Sequence, residues 1–105
     1  MLGRRKMGYT EMLLRARAES FVAVNWPHQK YEQTEPPVAL EAEANGAHSY
    51  WVKFENAHEP QIVGLVLGDI DVDDPVFVVV LAHSDGSVRR TLWRYTHRVG
   101  WRRLG

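Results

Sequence analysis

Seven consecutive apolar residues, Val76 to Ala82, lie between Pro75 and the turn-forming Ser84, Asp85 and Gly86, and this run narrows the possible folds more than any other feature. It is rich in β-branched residues and does not alternate with polar ones. Such a run reads as a strand covered on both faces, which places it in the middle of a sheet. At seven residues it is far short of the roughly 20 that cross a bilayer as a helix. The segment Val88 to Thr96 returns beside it through the glycine turn. That returning strand carries Val88 and Leu92 on one side and Trp93 and Tyr95 on the other, so both of its faces hold material worth burying.

Upstream, Ile62 to Leu67 also suits a strand, with Gly64 marking a bulge or a close backbone approach. Val38 to Glu55 reads as a hairpin, because Asn45 and Gly46 separate two alternating segments. A three-residue Ala44, Asn45, Gly46 loop aligns Val38, Leu40 and Ala42 with Val52, Tyr50 and His48 on one apolar face. The opposite face then carries Glu41, Glu43, Lys53 and Glu55 in solvent, with Trp51 as its one large aromatic. A short helix is expected from about Thr10, as N-cap, to Ser20, with Leu13 and Ala16 in a narrow apolar stripe. Phe21 to Val24 reads as a strand, and Asn25 to Pro37, holding three prolines, as a long irregular connection. The tail Val99 to Leu104 is left unassigned. Together these elements predict an α+β domain: a short N-terminal helix on a strongly curved antiparallel sheet, or small barrel, of five to six strands. At 105 residues the chain matches one domain spanning 1–105, with residues 1–8 expected to be flexible.

Composition then limits function. No cysteine is present, so disulfides, thiolate metal sites and thiol nucleophiles are excluded, which suits a reducing cytoplasm. After Arg4, Arg5 and Lys6 only Met12 to Leu14 form an apolar run, too short for a signal peptide, and no membrane partner is expected. Net charge is zero but segregated. Residues 1–18 hold five bases and one acid, 19–74 two bases and eleven acids, and 75–105 six bases and one acid. Basic ends packing beside an acidic middle account for this pattern as readily as a dedicated cationic face does.

No catalytic or metal-binding motif is complete. Asp69, Asp71 and Asp73 open like a calcium loop, yet Asp74 stands where that loop needs glycine and Val80 where it needs glutamate. The segment reads instead as a solvated acidic connection. Histidines 28, 48, 58, 83 and 97 have no metal spacing, and no serine sits in a nucleophile motif. Gly64 and Gly68 lack the surroundings of a phosphate loop. Accordingly no catalytic residue, cofactor or metal is assigned.

The densest unusual feature is the stretch holding Arg89, Arg90, Trp93, Arg94, Tyr95, Arg98, Trp101 and Arg102, with no acid beyond Asp85. Guanidinium groups neutralise phosphates or carboxylates and aromatic rings stack on unpaired bases. This points to a non-enzymatic binding module that engages an anionic partner, nucleic acid or an acidic protein surface. Two plainer fates compete for the same residues: Trp93 and Tyr95 as core, and Arg90 and Arg94 paired with Glu41, Glu43 or the Asp69 to Asp74 segment. A second reading is a small-ligand or catalytic pocket inside a cone-shaped fold, bordered by Trp26, His28, Tyr31 and Tyr50. A third is a homo-oligomer formed through the second apolar face, including Trp51 or Trp93.

Overall fold

The computed structural model describes residues 8–44, 48–68 and 75–105. Helix α1 covers Tyr9–Asn25. Six strands follow: β1 (Tyr31–Gln33), β2 (Ser49–Phe54), β3 (Ile62–Leu67), β4 (Val76–Ala82), β5 (Val88–Thr96) and β6 (Gly100–Arg103). Between β1 and β2 lie a single 3-10 turn, Val38–Leu40, and the one-turn helix α2, Glu41–Ala44. The strands form one antiparallel meander in chain order, with β1 and β6 as its two edges. The fold is therefore α+β on a curved sheet. The sheet stays open, which decides against the barrel.

Two layers pack on opposite faces of this sheet. On one, α1 presents Leu14, Ala18, Phe21 and Val22, spaced so that all four fall on a single side of the helix. They meet Val52 and Phe54 from β2, Val63, Leu65 and Leu67 from β3, and Phe77 and Val79 from β4, all buried. Each such side chain contributes about 1.5–3 kcal/mol when taken fully out of water. The other face carries a smaller cluster, in which Leu40 covers Trp51 and Val80. β4 thus has both faces covered along its centre, as its unbroken apolar run predicts.

Several expectations need correction. The helix starts one residue before Thr10, with Gly8 as its cap and the Glu11 carboxylate accepting the Gly8 N–H at 2.7 Å. It also runs through Phe21 to Val24, because Phe21 and Val22 extend the stripe begun by Leu14 and Ala18 and are worth more against the sheet than as a strand. Pro27 stops it. The long connection contains the short strand β1, paired with Val52 to Phe54.

The largest correction concerns Val38 to Ala44, which is helical and makes no hairpin with β2. Pro36 and Pro37 deliver an extended backbone, after which Ala and Glu, good helix formers, close a turn that sets Leu40 and Ala44 on one side. The proposed register of Val38, Leu40 and Ala42 against Val52, Tyr50 and His48 falls with it, and His48 is exposed. Trp51, expected in solvent, is only 3% exposed beneath Leu40. Gly64, opposite it on β3, is the close approach that its position suggested: a Cβ there would stand 2.3 Å from the Trp51 ring. The tail forms β6. The loop at Asn45 and Gly46, the acidic stretch Asp69 to Asp74, and all but Gly8 of residues 1–8 lie outside the described residues.

Candidate anion-binding ribbon

Strands β5 and β6 form a hairpin at one edge of the sheet, with Trp93 opposite Arg103, Arg94 opposite Arg102, and Tyr95 opposite Trp101. Alternation sends neighbouring residues to opposite faces, so the ribbon sorts its arginines from its aromatics. Trp93, Tyr95 and Trp101 turn toward α1. Arg90, Arg94 and Arg102 turn toward the face that carries Leu40 and α2. Arg89 and Arg103 share the aromatic side, and Arg98 sits in the turn between the strands; all six arginines are exposed.

The aromatic side is a packed joint. Phe21 of α1 meets Trp93 and Trp101 edge to face, with centroids 4.9 and 5.0 Å apart. Both indole N–H groups are satisfied: Trp93 donates to Thr91 Oγ1 at 2.8 Å and Trp101 to Ser20 Oγ at 3.1 Å. Tyr95 packs 5.3 Å from the Trp101 ring, and its own ring lies 4.1 Å beneath the Arg17 guanidinium. Arg17 is a residue that sequence reasoning missed. Its Nε is buried without a hydrogen-bond partner among the described residues, and its contact to Tyr95 is a cation–π one. Only the i, i+3 spacing of Arg17 and Ser20 on one flank of the helix hinted that both face the ribbon.

On the other face, Arg90 is already engaged. Its guanidinium forks onto Glu43, Nε donating to Oε1 at 2.6 Å and Nη2 donating to Oε2. The hydrogen bond from Arg90 holds the Glu43 carboxyl below the usual carboxylate range, and the same bond raises Arg90. The internal pairing anticipated for Arg90 is thus found, with Glu43 as the acid. Arg89, Arg94, Arg98, Arg102 and Arg103 have no ion-pair partner among the described residues.

The residues of the alternative pocket are distributed differently. Trp26 packs edge-on against Phe21 and Phe54, Tyr31 packs against Phe54, and Tyr50 lies against the same buried layer. His28 is exposed, in a left-handed backbone conformation. Side chains including Phe21, Phe54, Phe77 and Leu65 fill the space between helix and sheet. An open cleft of about 580 Å³ lies at the other edge, between β1, β2 and α2, lined in part by Glu35, Glu41, Ser49 and Tyr50. Among the described residues no group of three or more histidines and carboxylates is placed to hold a metal. Among them, too, no helix is long and apolar enough to cross a membrane. Comparison with family models, curated proteins and solved structures finds no match to this chain.

Proposed function

We propose that the chain is a cytoplasmic, non-enzymatic binding module that engages an anionic partner, nucleic acid or an acidic protein surface, through the arginines of the β5–β6 ribbon. One observation carries this reading: of the six arginines there, only Arg90 has an acidic partner among the described residues. Unpaired guanidinium groups on a rigid strand pair are suited to phosphates and carboxylates, because their planar forks are already held apart at strand spacing. The aromatic residues serve that role indirectly. Trp93 and Trp101 fasten the ribbon to α1, so the cations project from a fixed platform.

The test is a titration with a fluorescein-labelled 20-nucleotide single strand of mixed sequence, read by anisotropy, alongside a competition with polyglutamate. If all five unpaired arginines meet phosphates, the logarithm of affinity falls against the logarithm of salt with a slope of about −3.5. That is roughly a hundredfold weakening between 50 and 200 mM. The double variant Arg89→Ala, Arg98→Ala should reduce the slope by about 1.4. Binding that ignores salt, or no binding to either polyanion, rejects the reading.

A further inference from the structure

Facing Leu40 and α2, the sheet is covered over one half only. Strand register places Ser49, Val66 and Val78 in one row across β2, β3 and β4, and the row continues through Leu92 on β5. Leu104 extends it, since its N–H donates to the Leu92 carbonyl at 2.7 Å. Leu40 and α2 form a ledge above Trp51, Gly64 and Val80. Toward β5 and β6 the row is bare: Leu92 is 42% and Leu104 41% exposed, beside a half-buried Val78. Val38, on the ledge, is 83% exposed. Isolated apolar residues on a surface need no explanation, but a continuous row on a half-covered sheet face marks a contact surface.

Charge on this face is divided as well. Arg94 and Arg102 flank the bare end of the row, without acidic partners among the described residues. Glu35 and Glu41 stand at the opposite end, beside the ledge, and have no cationic partner among the described residues. Within one copy these two sets do not pair with each other. Arg90 and Glu43 show how a β5 arginine and a ledge carboxylate pair when they are within reach.

From this arrangement we infer that the bare half of the sheet is an interface for a second copy of this chain. A two-fold axis passing over Val78 and inclined to the strands carries the ledge of each copy, which sits above the Trp51, Gly64 and Val80 row, onto the neighbouring row at the bare half of the other. Leu92 and Leu104 then meet the partner's ledge, and Arg94 and Arg102 meet the end that holds Glu35 and Glu41. Self-complementarity of this kind, apolar against apolar and base against acid under one rotation, is what an isologous dimer requires. It goes beyond the ribbon's affinity for polyanions: in the dimer Arg89, Arg98 and Arg103, which lie off this face, remain for a polyanion and give a salt slope of about −2.1, and the slope of about −3.5 belongs to the Leu92→Glu monomer.

Sedimentation equilibrium of the full chain between 5 and 200 µM tests the inference. The expected mass is about 24 kDa, twice the 12.1 kDa of one chain. Leu92→Glu, at an exposed position, should return it to that of a single chain with an unchanged near-ultraviolet circular dichroism spectrum. Independently, Arg94→Glu with Arg102→Glu should also give a single chain, and adding Glu35→Arg with Glu41→Arg should restore the dimer. A single-chain mass for the unaltered protein throughout that range overturns the inference, as does a dimer that survives Leu92→Glu or a charge exchange that fails to restore association. Oligonucleotide binding by the Leu92→Glu monomer separates the two claims: if retained, the ribbon reading stands whatever the dimer does.

Discussion

Replacing Gly64 by alanine sets two effects of opposite sign against each other. Removing a glycine from the unfolded chain stabilises a protein by about 0.4–1 kcal/mol where the new side chain fits. Here it does not fit. The added Cβ would lie 2.3 Å from ring atoms Cε3 and Cζ3 of Trp51, and ordinary contact begins at 3.4 Å, so the ring must retreat by about 1.1 Å. It is held by Leu40 above and by an indole N–H donated to Ser49 Oγ at 3.0 Å. Overpacking of this kind costs about 1–3 kcal/mol, and loss of the hydrogen bond adds about 1. The net expectation is destabilisation by about 2 kcal/mol, or a fall in Tm of roughly 8–16 °C for a domain near this size. Thermal and urea unfolding followed by far-ultraviolet circular dichroism would read it, with the m-value checking that the two-state transition is preserved. In a Trp51→Leu background the same glycine replacement should lose most of its penalty, giving a coupling of about 2 kcal/mol. An unchanged or raised Tm for Gly64→Ala, or an equal penalty in both backgrounds, would refute the reasoning.

Two further outcomes follow from the packing and the surface turns. Phe21→Ala removes the ring that meets Trp26, Trp93 and Trp101, and should cost about 3–5 kcal/mol in urea unfolding, among the largest effects of any single truncation. Glu59, which accepts hydrogen bonds from the Ser84 hydroxyl and N–H, is held below its ordinary value of 4.5 by those bonds, and Asp85 is lowered by Ser87. A depressed carboxylate contributes stability above its unfolded pKa and loses it as pH falls through the folded one, so Tm should drop below about pH 4.5. Glu59→Gln should flatten that drop in Tm measured from pH 6 to pH 3.

The strands were readable wherever one physical signal dominated. Val76 to Ala82 could only be a covered strand, and Ser84, Asp85 and Gly86 fixed the β4–β5 hairpin through the left-handed glycine at position 86. Val38 to Ala44 misled because V-A-L-E-A-E-A alternates like a strand while also placing Leu40 and Ala44 one helical turn apart. What decides between them is Trp51, which needs a cover. Nothing local announces that need, since Trp51 and its cover are joined only in three dimensions. The same limit applies at the ribbon: its arginines and aromatics were visible as a mixture, but their separation onto two faces follows from register, and Arg17 joins the aromatics from a helix 78 residues away.

The hydrogen bond from Trp101 to Ser20 spans 81 positions of the chain. During synthesis α1 leaves the ribosome early, yet the two indoles that cover Phe21 emerge only with β5 and β6. Until then the helix can rest only on β2 to β4, and a nascent chain halted before residue 93 would present to solvent or to chaperones the flank of Phe21 that Trp93 and Trp101 cover. Native structure around α1 is therefore sealed late, by the hairpin whose arginines face outward.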